Sequence, residues 1–369
     1  MQIVSAASEI VRPKSPSTVG ARDDRAPPGE SPADRAPNWR HVLKSAIRDA
    51  ATLCRRLELP PNFVAPAERA AAAFPLFVPE PYLARIRPGD PADPLLRQVL
   101  PLDAELADAP GYTADPVADS AARVSEGVLQ KYAGRALLIT TGACAIHCRY
   151  CFRRHYPYSE SPSGLDAWIP ALNALAADPS LDEVILSGGD PLTLSDGFLA
   201  ELIRRIAAIG HIRRIRVHTR LPIVIPQRVT AELIAALRGT RLAPIVVVHA
   251  NHPREIDTLV ARAFAQLVDA GIPLLNQAVL LRGVNDDADT LAALSQTLVN
   301  HRAMPYYLHQ LDPVQGAAHF AVPAEVGLSL IEDLRVRLPG YAVPRYVREV
   351  PGQPSKMPIE LSAPSNAIL

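Results

Sequence analysis

The segment Ala136-Leu137-Leu138-Ile139-Thr140-Thr141-Gly142-Ala143-Cys144-Ala145-Ile146-His147-Cys148-Arg149-Tyr150-Cys151 begins as a short apolar run and ends in three cysteines. A short apolar run at 136–140 reads as a buried strand, so the cysteines fall on the loop that leaves it. Working outward, further apolar runs lie at 183–186, 215–219, 245–249, 274–280 and 305–309. Helical patterns follow the runs near 165–177, 196–209, 230–238, 254–270, 287–301 and 323–337. Regular alternation of strand and helix means βαβ units, a parallel sheet and an α/β fold. A last extended piece is expected at 342–350. Gly188-Gly189, Asn251-His252 and Asn285-Asp286 fall just after strands, and in barrel-type α/β folds those loops carry function.

The spacing C-x3-C-x2-C is the chemical signal. Three thiolates can hold three irons of a four-iron cluster, whose usual set is four cysteines. No fourth cysteine is near, since Cys54 stands alone far upstream. One iron would then keep an open position, which suits catalysis. Two plainer readings stay open: a zinc site completed by His147 or His155, or three buried thiols. Cys54 itself reads as a small buried apolar residue.

Upstream of residue 135 the texture differs. Residues 39–134 read as mainly helical, with a helical pattern at 39–59 stopped by Pro60-Pro61 and proline-broken pieces after it. Residues 1–38 are rich in Pro, Ala, Ser, Arg and Asp without hydrophobic period. Such a segment buries too little apolar surface to offset its ordering entropy, so disorder is expected.

The 369 residues include 38 Lys plus Arg and 38 Asp plus Glu, with 48% hydrophobic. That is a globular composition, and length alone suggests about two domains. Zero net charge argues against nucleic-acid binding through phosphates, which needs a basic surplus. No apolar run approaches the roughly 18 residues of a membrane span, and the N-terminus has no secretory pattern. Clustered thiols in such a chain point to a reducing compartment, and a cytoplasmic location is expected.

The cysteine spacing and its place after the first strand resemble the radical S-adenosylmethionine (SAM) superfamily. The likeness implies a partial (β/α)6 TIM-like barrel at 135–340, with an N-terminal helical region and a C-terminal extension at 341–369. It implies a [4Fe–4S] cluster on Cys144, Cys148 and Cys151, with SAM on the open iron. Ser187-Gly188-Gly189-Asp190-Pro191 resembles the superfamily's SAM-contacting loop, although a Gly-Gly pair alone usually marks only a tight turn. Cys151-Phe152-Arg153-Arg154-His155, the segment 276–286 and Pro354-Ser355-Lys356 narrow the likeness to the lysine 2,3-aminomutase family, over about residues 80–360. Asp93-Pro94-Leu95-Leu96-Arg97-Gln98-Val99 and Gln315-Gly316-Ala317-Ala318-His319-Phe320 turn it toward the branch that makes (R)-β-lysine for elongation factor P.

That family likeness implies roles residue by residue. Lys356 matches the lysine that holds pyridoxal 5′-phosphate (PLP) through its amine. Lys131, Tyr132 and Arg135 match positions near the PLP phosphate. Asn276 and Gln277 would help place PLP or SAM. Arg153 matches the clamp for the substrate carboxylate, a task suited to a forked guanidinium. Asp312 and Glu349 match the acids that meet the distal ammonium; free-lysine relatives carry Asp at the second position, so Glu349 is one methylene longer. His218, His249, His252 and His309 lie near strand ends, where a histidine either meets a cofactor or satisfies backbone.

The implied reaction is isomerisation of L-lysine to β-lysine with a SAM-derived radical and PLP. A reductant such as flavodoxin or ferredoxin would supply electrons, and a homo-oligomer is compatible with the sequence. Free-lysine aminomutases extend further and carry zinc-binding cysteines, whereas no cysteine follows Cys151 here. The alternatives are a free-lysine enzyme giving the (S) isomer and a non-catalytic iron–sulfur electron carrier. A glutamate-specific relative is disfavoured because two acids would repel its side chain.

Overall fold

The computed structural model describes residues 38–160, 162 and 164–360. Apart from Asn38, the expected disordered extension lies outside the described residues, as does the end of the C-terminal segment. Asn38 caps the helix Trp39–Lys44 by accepting from the Arg40 N–H at 2.9 Å.

One sheet of ten strands runs in chain order from β1 to β10. The strands are β1 (Arg123–Ser125), β2 (Val128–Tyr132), β3 (Arg135–Thr141), β4 (Glu183–Gly188), β5 (Arg214–Thr219), β6 (Ala243–His249), β7 (Leu274–Val279), β8 (Met304–His309), β9 (Arg345–Arg348) and β10 (Met357–Pro358). From β3 to β9 all neighbours pair in parallel, while β1, β2 and β10 pair antiparallel. Each strand from β3 to β8 is followed by a helix: α1 (Ile169–Ala177), α2 (Asp196–Ala207), α3 (Ala231–Arg238), α4 (Thr258–Asp269), α5 (Ala288–Asn300) and α6 (Ala324–Arg337). The result is the expected partial (β/α)6 barrel. The extended piece after α6 becomes a seventh parallel strand, β9, with β10 folded against it.

The helices form where the sequence repeats apolar residues at helical spacing. In α2, Leu199, Leu202, Ile203 and Ile206 make one fully buried stripe. Burying a side chain of this kind contributes about 1.5–3 kcal/mol. Asp257 caps α4 by accepting from the Val260 N–H at 2.9 Å, and Asp287 caps α5 from Thr290 N at 2.8 Å. Such caps contribute about 1 kcal/mol each.

The N-terminal region holds helices at 39–106, and its last part adds strands to the barrel sheet. Residues 123–132 are strands rather than helix, and a boundary at 134/135 would cut the β2–β3 hairpin. Gly127 and Gly134 sit at the two turns with φ of +71° and +76°, a conformation that favours glycine. Nor does the helical region have a core of its own. Trp39, Leu53, Cys54 and Ala67 belong to the same continuous cluster as Leu199, Phe264 and Leu334 of the barrel helices.

Candidate active site

Successive residues of a strand face opposite sides of a sheet. On β5, Ile215 and Val217 are buried away from the barrel's interior cavity, whereas Arg214, Arg216 and His218 face it, and Thr219 reaches it at the strand end. On β7, Gln277 faces the cavity, and Asn276 points away. Asn276 is spent on the backbone of Ala250, accepting from its N–H at 2.8 Å and donating to its carbonyl at 3.1 Å. The expectation that both residues reach a cofactor therefore splits: Gln277 can, and Asn276 is a structural brace. The cavity holds about 640 Å³.

All three clustered cysteines line this cavity and are free thiols. Their loop is held against the glycine loop after β4. Gly189 N donates to Thr141 O at 2.7 Å, and Asp190 N donates to Ala143 O at 2.7 Å. The approach is too close for side chains: a Cβ on Gly188, whose φ is +114°, would lie 2.9 Å from Thr141 O, and one on Gly189 would collide with Ala143 O. The Gly-Gly pair thus builds the cysteine loop's seat. Asp190 has no free oxygen for a ligand. Its carboxylate accepts from Thr219 Oγ1 at 2.7 Å and from the backbone of Leu192, Arg220 and Leu221. It ties the β4 loop to the β5 loop.

Burial, with the neighbouring Cys151 and Asp190, pushes the Cys144 thiol well up, and burial beside Cys148 pushes Cys151 up to about 11. Metal binding displaces such protons. The zinc alternative finds no support from the histidines. His147 stacks on Phe74 and shares a hydrogen bond with Pro75 O at 2.7 Å, and His155 Nε2 sits 3.1 Å from Gln315 O. Among the described residues no three Cys, His, Asp or Glu converge as on one metal ion. A four-iron cube, which takes each thiolate on a different iron, does not need that convergence.

The same cavity also gathers charge. Lys356 Nζ pairs with Glu349, which also accepts from Tyr132 Oη at 2.7 Å. Lys131 Nζ lies 2.7 Å from Asp119 Oδ1 and donates to Val117 O at 2.7 Å. Arg135 places its guanidinium 4.6 Å from the centre of the Tyr132 ring. Arg153 Nε donates to Asp119 Oδ2 at 2.7 Å, and its Nη1 reaches Ser187 Oγ at 3.4 Å. Burial lifts the Asp312 carboxyl to about 7, against the pull of Lys356. For Glu349, burial raises the carboxyl, but Lys356 and Tyr132 outweigh it, leaving the group below its ordinary value.

Three of the four strand-end histidines line the cavity: His218, His249 and His309. Burial lowers all three, His249 to about 3, so they are neutral imidazoles. His252 is different; its Nδ1 accepts from Arg254 N at 3.1 Å and caps a short turn. Cys54 is buried in the core, as expected. Sequence reasoning missed Asp119, Gln98, Tyr150, Arg220 and Glu255, which are joined to one another or to Arg153 by contacts 34 to 122 residues apart in sequence. Gln98 and Tyr150 lie inside the motifs at 93–99 and 144–151, but nothing local announces these distant partners.

The site accommodates the implied groups. Three thiols share one wall with a side-chain-free glycine loop, and His218 Nε2 is buried among the described residues without a hydrogen-bond partner. The lining also offers an amine, cations and a phenol.

Comparison with known proteins agrees. The Radical SAM superfamily model matches residues 138–294. An L-lysine 2,3-aminomutase of Haemophilus influenzae is 44% identical over 86% of this chain and 94% of its own length. One from Escherichia coli is 45% identical over 88% and 95%, and one from Clostridium subterminale 34% identical over 87% and 77%. Radical SAM enzymes work through a [4Fe–4S] cluster and SAM, and lysine 2,3-aminomutases add PLP. The chain belongs to the lysine 2,3-aminomutase family of radical SAM isomerases.

Proposed function

We propose that the protein converts L-lysine to (R)-β-lysine for the modification of elongation factor P. The observation that carries the chemistry is one cavity joining Cys144, Cys148 and Cys151 to Lys356, Arg153, Asp312 and Glu349. The three cysteines would hold the cluster, the Gly188–Gly189 loop and Gln277 would flank SAM, and Lys356 would hold PLP with Lys131, Tyr132 and Arg135 about its phosphate. Bound there, the cluster and SAM would supply a carbon radical, and PLP would supply a π system able to delocalise an unpaired electron.

The chain's own residues do the rest. Glu349 pairs with Lys356 Nζ and so would hold the amine in place, its carboxylate staying ionised to serve a second ammonium. Asp119 orients the Arg153 guanidinium so that its fork meets the substrate carboxylate. Asp312 and Glu349 meet the distal ammonium, which must be neutralised if it is to leave water. The neutral histidines add polar surface without competing positive charge. The buried walls exclude water from the radical and fix the reacting atoms.

The (R) product and the elongation factor role rest on the likeness at 93–99 and 315–320 and on Glu349. Anaerobic reconstitution with SAM, PLP and L-lysine, followed by chiral product analysis, tests both levels. Release of (S)-β-lysine would remove the elongation factor assignment, and absence of any β-lysine would remove the activity.

A further inference from the structure

A buried polar network touches the cysteine loop from the side of β5 and β6. Arg220 Nη1 donates to Cys148 Sγ at 2.7 Å. Its Nη2 donates to Glu255 Oε2 at 2.8 Å and to Gln98 Oε1 at 2.7 Å. Glu255 is fully buried, and its other oxygen accepts from Asn251 N, His252 N and Gln98 Nε2. The guanidinium lies between the rings of Tyr82 and Tyr150, 5.5 and 5.7 Å from their centres. Its backbone N–H is fixed by Asp190 at 2.7 Å. Both Nη nitrogens and the backbone N–H hold this cation beside Cys148, while its Nε is buried without a hydrogen-bond partner among the described residues.

We infer that Arg220, braced by Glu255, is a positioning residue that sets the reduction potential of the cluster through Cys148. The inference rests on the reading of Cys148 as a cluster ligand. Hydrogen bonds to ligand sulfurs and net charge near a cluster tune its potential. Reduction adds one electron to the cluster and exchanges no bond or proton; an external one-electron reductant supplies it. A guanidinium stays charged, so at hydrogen-bond distance from the sulfur it stabilises the reduced, more negative form. Glu255 sits one step behind and partly cancels that field, and it also keeps the buried cation from standing alone. The two residues therefore act on the potential with opposite signs.

The test uses the full-length protein, reconstituted anaerobically with iron and sulfide and titrated with dithionite in the absence of SAM and lysine. The midpoint is read from the electron paramagnetic resonance signal and visible bleaching. Glu255→Gln should move it to a more positive value than wild type. The charge-neutral pair Arg220→Gln with Glu255→Gln should move it to a more negative value, because the nearer charge dominates. Arg220→Lys, which keeps the charge but not the fork, should lie between the double variant and wild type. Equal midpoints in wild type, Glu255→Gln and the double variant, with iron content unchanged, would overturn the inference. If the double variant does not load iron, the sign of the Glu255→Gln shift still decides. Wild-type protein that binds no four-iron cluster would instead refute the ligand reading on which the inference rests.

Discussion

Asp119 Oδ2 accepts a hydrogen bond from Arg153 Nε at 2.7 Å, and both side chains are almost wholly buried. The same carboxylate also meets Lys131. It therefore stands between two cations assigned to different ligands. Removing one partner of such a buried pair costs about 3–5 kcal/mol. Asp119→Ala should lower unfolding free energy by about 3 kcal/mol in denaturant titration, and it should raise KM for lysine by more than it lowers kcat.

Lys356→Ala should abolish β-lysine formation and the visible absorbance of lysine-bound PLP, while reductive cleavage of SAM continues. Lys356 is far from the three cysteines in sequence and makes its contact with Glu349, so the two activities should come apart. Undiminished product formation would exclude Lys356 from the reaction.

Cys148→Ser should lose cluster iron together with all radical chemistry, read by iron analysis and 5′-deoxyadenosine release. Full iron and activity in this variant would refute a ligand role.

Asp312 gives a pH dependence with a definite sign. Burial raises its folded value to about 7, against about 3.9 unfolded. The folded state therefore binds more protons between those values, and stability falls as pH rises from about 4 to 7. Binding of the lysine ammonium runs the other way, since it needs the ionised carboxylate. KM for lysine should fall as pH rises through about 7, and Asp312→Asn should flatten both profiles.

Gly189→Ala should disturb the cysteine loop through its collision with Ala143 O. Overpacking of this kind costs about 1–3 kcal/mol, and the measurable result is reduced iron loading at normal expression. An alanine variant that loads iron like wild type would show that the loop can yield.

The strands, helices and cysteine loop were legible because their signals are local. Apolar runs such as 183–186 and helical stripes such as Leu199, Leu202, Ile203 and Ile206 need only a short window. The β1–β2–β3 hairpins were not legible. Val128-Leu129-Gln130-Lys131-Tyr132 lacks strict alternation, and its strand character comes from pairing with β3. Asn276 and Gln277 show a second limit. Both carry amide side chains at adjacent positions, and only the register of β7 decides which one meets the cavity. The network of Arg220, Glu255, Gln98 and Tyr150 shows a third. Its partners come from distant loops, and nothing near any one of them in sequence announces the others.

Tyr132 and Lys131 both reach Glu349. These residues belong to the early and late margins of the barrel, at 2.7 Å and 3.6 Å. They join the margins by side chains and not by a ladder of main-chain hydrogen bonds, so the barrel has a seam. A seam of a few side-chain bonds, each contributing about 0.5–3 kcal/mol net, can part without unravelling a strand. Glu349 is also the carboxylate that a bound ammonium would claim. On the proposed binding of the ammonium, filling the chamber and fastening its wall would draw on the same carboxylate, and occupancy and openness would be reciprocal.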